Sequence, residues 1–312
     1  MNVVLGSPRG YCAGVARALD IVELCLERFG APVYVRHEII HNPHVVEELR
    51  TKGTIFVDEL DDVPSGSTVI FSAHGVAPSV RTEAEARNLR IIDATCPLVT
   101  KVHMEAVKYA REGYSIILVG HRGHDEVIGT MGQVPEQTAL VETIEDARAV
   151  DVPTPERVVA LTQTTLSVDD TTEIINVLKD RFPSLLTRND ICYATTNRQT
   201  TVKALAGQVD LVLVVGANNS SNSLRLREAA EAAGLPAYLV NDPQDIDEAW
   251  LQGTERIGIT SGASTPEWLV DAVVQRLQPR QVQNLAVMEE NVTFVLPKEL
   301  QPVVPVAKSF SR

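Results

Sequence analysis

Aromatic residues make up only 4% of this 312-residue chain, too few to build the stacking platforms that hold single-stranded nucleic acid. Positive charge is also short. Lys and Arg number 28 against 41 Asp and Glu, a net −13 at pH 7, which argues against nucleic acid and anionic membranes as partners. No apolar run approaches the ~20 residues that span a bilayer, and no basic start leads into an apolar signal core, so a cytoplasmic protein is expected. Neither G-x-G-x-x-G nor G-x₄-G-K-[ST] occurs, so the dinucleotide and nucleotide-triphosphate fingerprints are missing. The four cysteines, Cys12, Cys25, Cys96 and Cys192, stand far apart. That spacing offers no zinc knuckle, and a reducing compartment disfavours disulfides.

What the chain does have is alternation. Short Val/Ile/Leu runs such as "NVVLGS", "PVYVRHEI", "TVIFSAHG", "SIILVGHR" and "VDLVLVVGA" trade places with amphipathic stretches at 14–29, 44–52, 78–88, 97–112, 168–181, 197–207, 223–233 and 266–277. This order predicts mostly parallel sheets covered by helices. Beyond about 280 the pattern breaks; "NVTFVLPKEL" is expected to add a strand before a tail.

Three of the cysteines mark a repeat. Cys12, Cys96 and Cys192 each follow a strand candidate and precede a helix candidate. A second strand end follows, with His41, His124 and Ser220 lying 29, 28 and 28 residues past their cysteines. A third carries His74, then Thr164 and Thr165, then Ser264. Ligands of open parallel sheets sit beyond the carboxyl ends of the strands. Three such units facing one another would gather three thiols, walled by His, Thr, Ser and Asn. Cys25 falls on the apolar stripe Val15, Ala18, Val22, Cys25, Phe29 and reads as core.

Three thiolates could hold zinc with an open position or an iron–sulfur cluster with one iron free of cysteine. The polar loop "ANNSSNS" between a strand and a helix offers backbone N–H groups and hydroxyls to a phosphate. Helix capping is the plainer reading of those same serines. Glu126, just after His124, could deliver a proton. The His37-Glu38-Ile39-Ile40-His41 string matches the zinc-protease pattern H-E-x-x-H, which needs both histidines one turn apart on a helix. Here the string ends a strand candidate, and Pro43 biases Asn42 away from helix, so a zinc hydrolase is the remote reading.

Together, "RGYCAGV", "HEIIHNPHVV", "FSAHGV", "DATCPLVTKVH", "TQTTLSVDDT", "DICYATTNRQ", "NSSNSLRL" and "SGASTPEWLV" make the chain resemble the 4-hydroxy-3-methylbut-2-enyl diphosphate reductases, enzymes of the last step of non-mevalonate isoprenoid synthesis. The likeness covers about residues 1–298, with Asp125 standing where the family often has Pro. It implies three similar α/β domains in pseudo-threefold arrangement around a [4Fe-4S] cluster. The expected divisions are 1–95, 96–188 and 189–280, with a C-terminal strand and tail at 281–312. Cys12, Cys96 and Cys192 would be the ligands, leaving one iron for the substrate hydroxyl. Glu126 would be the proton donor, with Thr164 beside the hydroxyl. His41, His74, His124, Ser220, Ser221, Asn222 and Ser264 would hold the diphosphate, with Thr165, Thr195 and Asn197 nearby. The three histidines are expected to be charged beside that anion. A flavodoxin- or ferredoxin-type protein would donate single electrons. A quinolinate synthase-type dehydratase would share the cluster but not these loops, and an iron–sulfur sensor would need the basic face this chain lacks.

Overall fold

The computed structural model describes residues 1–301, so the end of the expected tail lies outside the described residues. The chain opens with β1 (Asn2–Ser7) and α1 (Ala13–Phe29), then runs through β2 (Val33–Arg36), α2 (Pro43–Thr51), β3 (Thr54–Val57), β4 (Thr68–Phe71), α3 (Pro78–Ala86) and β5 (Arg90–Asp93). Next come α4 (Pro97–Arg111), β6 (Ser115–Val119), α5 (Asp125–Met131), β7 (Thr138–Val141), α6 (Ile144–Ala149), β8 (Val158–Thr162), α7 (Val168–Arg181) and β9 (Leu186–Thr187). The remainder is α8 (Tyr193–Leu205), β10 (Leu211–Val215), α9 (Ser221–Ala232), β11 (Ala237–Val240), β12 (Arg256–Ser261), α10 (Glu267–Leu277) and β13 (Val282–Ala286).

Three sheets result, ordered β3-β2-β4-β5, β7-β6-β8-β9 and β11-β10-β12-β1-β13. Every pairing is parallel. The same four-strand order occurs three times, which is the expected three-unit α/β architecture. The central strands β6, β8 and β10 are buried along their whole length, as continuous apolar runs sandwiched between helices should be. Cys25 is fully buried in the core of the first sheet, as its stripe predicted. Among the described residues, no helix is long and apolar enough to cross a membrane.

The sheets depart from the expected division in one instructive way. Strand β1, placed by the sequence reading in the first unit, is the fourth strand of the third sheet, pairing with β12 and β13. Two other differences are local. "NVTFVLPKEL" forms no strand; β13 is built from Val282–Ala286 instead. The second edge strands β3, β7 and β11 escaped the sequence reading, because four residues with mixed exposure are too short to show a period.

With β1 in its true sheet, the cysteines gain a common meaning. Cys12, Cys96 and Cys192 are the N-caps of α1, α4 and α8. Those are the three helices that carry the chain out of a fourth strand and into the next sheet.

Candidate active site

Each cysteine is fixed by a neighbouring strand end. The backbone N–H groups of Cys12, Cys96 and Cys192 donate to the carbonyls of Ala263, Ala73 and Thr164 at 3.2, 3.0 and 3.0 Å. These acceptors lie on the loops after β12, β4 and β8, the loops that also bear Ser264, His74 and Thr164. One hydrogen bond per unit therefore ties a thiol to a polar wall. The three cysteines line one cavity, together with His41, His74, His124, Glu126, Thr164, Thr165, Thr195, Ser220, Ser221, Asn222 and Ser264. Gly14 is the close-approach position: a Cβ there would stand 2.8 Å from the Cys96 sulfur and 3.7 Å from that of Cys12. Burial pushes the Cys96 thiol up to about 12 and that of Cys192 up to about 11. The Cys96 and Cys192 thiols thus resist ionising unless a cation compensates them.

Glu126, in the first turn of α5, is 2% exposed. One carboxyl oxygen accepts from the Thr164 backbone N–H at 2.7 Å, and the other accepts from the Thr164 hydroxyl at 2.8 Å. Burial raises its pKa to about 7, against the lowering effect of those two hydrogen bonds. The group is therefore poised between acid and carboxylate at neutral pH, the condition that suits a general acid. Thr164 also holds Cys192 through its carbonyl, so the proton site and a cysteine share one residue.

The histidines form a compact cluster. The rings of His41 and His74 stack at 4.2 Å with 18° between planes, and His124 meets them edge-on at 5.6 and 5.7 Å. The Nδ1 of His124 accepts from the Glu126 backbone N–H at 3.1 Å, capping α5. In its neutral form this bond makes Nε2 the N–H donor. Burial holds the pKa of His124 down at about 4 and that of His74 well below its ordinary value; neighbouring histidines add to both shifts. Without an anion, desolvation keeps His74 and His124 neutral.

The loops after β10 and β12 contribute no titratable group to this wall. Ser220, 1% exposed, receives hydrogen bonds from Asn222 Nδ2 at 2.8 Å and Ser223 Oγ at 3.0 Å and lies 3.4 Å from Ser264 Oγ. Ser264 in turn donates to the His41 carbonyl at 3.1 Å. Thr165 Oγ1 donates to Ser221 Oγ at 3.0 Å, joining the second unit to the third.

A model of the LytB protein family matches residues 3–278. The chain belongs to the LytB family. It is 57% identical over 304 residues to 4-hydroxy-3-methylbut-2-enyl diphosphate reductase 2 of Burkholderia mallei, covering 96% of this chain and 93% of that one. It is 55% identical over 305 residues to the 4-hydroxy-3-methylbut-2-enyl diphosphate reductase of Aromatoleum aromaticum, covering 96% and 98%. The solved E-1-hydroxy-2-methyl-but-2-enyl-4-diphosphate reductase of Plasmodium falciparum superposes with a TM-score of 0.93 at 41% identity, covering 96% of both chains.

The donor set of this LytB chain separates the two metal readings. Among the described residues, the set of three metal-binding side chains with ligand atoms all within 4.8 Å is His41, His74 and Asp125. The three thiols are therefore spread wider than that. A single zinc, with Zn–S of ~2.3 Å, needs its sulfurs within ~4.6 Å of one another. Thiols spread around a cavity suit a larger iron–sulfur group. Nor do His41 and His74 make a good zinc pair, because stacked, nearly parallel rings direct their in-plane lone pairs side by side. The H-E-x-x-H string forms no helix: β2 ends at Arg36, and His37 adopts a left-handed φ of 58°.

Residues outside the cavity wall also bear on the site. Asn197 does not line the cavity; its amide donates to Glu290 at 3.1 Å. Glu290 also accepts from the fully buried Arg198 at 2.9 Å. Arg17 donates to the Val295 carbonyl at 2.8 Å, so the segment between is strapped across the site and Phe294 enters the cavity wall. The sequence hint was an apolar "TFV" that no strand absorbed. His37, given no role in the sequence reading beyond the H-E-x-x-H string, binds Asp125 Oδ1 at 2.7 Å and joins the first unit to α5. That hydrogen bond raises the pKa of His37. Asp125 sits at about 2; contacts with His37 and the neighbouring histidines outweigh its burial.

Proposed function

We propose that this chain reduces (E)-4-hydroxy-3-methylbut-2-enyl diphosphate to isopentenyl and dimethylallyl diphosphate, the last step of the non-mevalonate route. The observation that carries this reading is the meeting of a buried acid, three thiols and a wall of anion-binding groups in one cavity. The reaction takes up two electrons and two protons. The allylic C–O bond breaks, water leaves, and a C–H bond forms at either end of the allyl unit. A [4Fe-4S] cluster on Cys12, Cys96 and Cys192, with one iron free of cysteine, would supply single electrons and Lewis acidity.

The chain's own residues do the rest. Protonated Glu126 donates to Thr164 Oγ1, which frees the Thr164 hydroxyl hydrogen for the departing oxygen, so the proton lost as water comes from a group near pH 7. His124, as the neutral Nε2–H form, donates to a phosphate oxygen. His41 lines the cavity beside His74, and His74 gains positive character as the anion enters, since an adjacent negative charge favours the protonated ring. Ser220, Ser221, Asn222 and Ser264 complete the cradle with neutral donors. Thr165 and Thr195 support it, Thr195 through its N–H to the Cys192 sulfur at 3.4 Å. Asn197 acts through the Glu290 strap rather than on substrate. The electrons come from a flavodoxin- or ferredoxin-type protein in the cytoplasm.

Anaerobic purification tests this directly. The expected result is a brown protein with about four irons and four sulfides per chain, bleached by dithionite and perturbed by the diphosphate, turning over with reduced methyl viologen. Stoichiometric zinc with no chromophore after iron and sulfide reconstitution would overturn it.

A further inference from the structure

A cavity of about 710 Å³ lies apart from the cysteine site and contains no cysteine. It runs along one flank of α4, and a second groove of about 530 Å³ runs along the other. Met104 and Lys108 line both, so the outer face of α4 is a ridge between two grooves. Met104 is 67% exposed, an unpartnered apolar side chain at the crest. Around it the charge is the reverse of the chain's. Among the described residues, Lys108 and Arg111 have no carboxylate within salt-bridge distance; Asp93 and Glu105 are engaged by Arg81, Lys101 and Arg188, and Glu112 at the far end of the helix is outnumbered by the cations lining the two grooves. In a protein of net charge −13, this is a local cationic face with an apolar centre.

Its position matters as much as its charge. The helix begins at Cys96, and Met104 lies eight residues on, about 12 Å along the axis. A second apolar surface lies beside Cys12. Tyr11 and Trp268, 37% and 51% exposed, flank a groove beside Cys12. That groove is lined by Asp20, Glu23 and Glu48, of which the two glutamates share Lys52, so it stays net acidic and repels an acidic partner.

We infer that the outer face of α4, centred on Met104 with Lys108 and Arg111, is the docking surface for a small acidic protein that carries single electrons. The inference rests on the reductase reading and adds where its reductant binds. The unpaired cations select a partner of opposite charge, and long-range attraction at one patch steers encounter against the repulsion of the whole chain. At each encounter the carrier is oxidised by one electron, which enters through the Cys96 end of the helix. Two encounters supply the two electrons of one turnover, while one proton leaves in the water and the other forms the new C–H bond.

The test compares protein and small-molecule reductants on the cluster-loaded enzyme under anaerobic conditions. With reduced flavodoxin or a reduced [2Fe-2S] ferredoxin at low salt, Lys108→Glu/Arg111→Glu should raise the carrier KM about tenfold, an effect that fades as salt screens it. Met104→Ala should raise it about threefold. Turnover driven by reduced methyl viologen should stay within about twofold of wild type, since none of these residues lines the cysteine cavity. Unchanged carrier kinetics in the double variant would overturn the inference. So would faster carrier turnover in Asp20→Lys alone, which would move the dock to the Cys12 side, or wild-type turnover with viologen but with neither carrier. Failure with viologen in wild type would instead defeat the reductase reading.

Discussion

The second and third units present the same strand ends to the cavity, yet they arm them differently. After β6 and β8 stand His124, Glu126 and Thr164; after β10 and β12 stand Ser220, Ser221, Asn222 and Ser264. The first set titrates and the second does not. Burial moves Glu126 up to about 7 and His124 down to about 4, while serine hydroxyls and an asparagine amide keep one hydrogen-bonding character across the working pH range. A repeated fold thus supplies equivalent positions, and side-chain chemistry divides proton delivery from anion holding. The adjacent pair Asp125 and Glu126 makes the point at closer range. One turn of helix holds a carboxyl at about 2, beside histidines, and another at about 7, buried against Thr164.

That division can be broken in order of effect. The feature common to the units is the cysteine, and Cys192→Ser should remove iron and cut turnover by more than the ~100-fold typical of lost outer-sphere support; retained iron with near-normal turnover would remove Cys192 from the ligand set. Next comes the titrating arm. Glu126→Gln should lower kcat by ~10²–10⁴-fold with iron content and substrate binding kept. Because the acid form is the donor and its pKa is raised, wild-type kcat should be level below about pH 7 and fall as pH rises through it. A wild-type profile flat to pH 9 would refute that assignment.

Smaller effects separate anion holding by charge from anion holding by neutral donors. His41→Ala should raise KM by ~10–100-fold, the scale of a hydrogen bond to a charged group, whereas Ser220→Ala should raise it only ~2–10-fold. Iron loss in either variant would show a structural role instead. Diphosphate binding near pH 7 should also take up protons, since His74 starts neutral and an anion raises its pKa. Calorimetry in buffers of different ionisation enthalpy reads this; no proton uptake would mean that neutral donors alone hold the anion.

Much of this site was legible from the chain. The three cysteines, the strand-end histidines and the serine loop announced themselves by matched spacing, and helical geometry set Cys25 apart from them. Other features stayed hidden for physical reasons. His37 and Asp125 are 88 residues apart, and nothing local in either segment encodes their pairing. Phe294 reaches the cavity only because Glu290 meets Arg198 and the Val295 carbonyl meets Arg17 across nearly a hundred residues or more. Short edge strands carry too few residues to show a period.

By itself, the sequence determined the alternation that makes parallel sheets, the threefold recurrence of a cysteine between strand and helix, and the residue types available at each strand end. Periodicity and spacing are local properties, so they can be read along the chain. Only the tertiary structure decided that β1 completes the third sheet, that each cysteine is pinned by the neighbouring strand end, and that Glu126 rather than Asp125 stays an acid near neutral pH. Those outcomes depend on long-range contacts and on how far each group is removed from water.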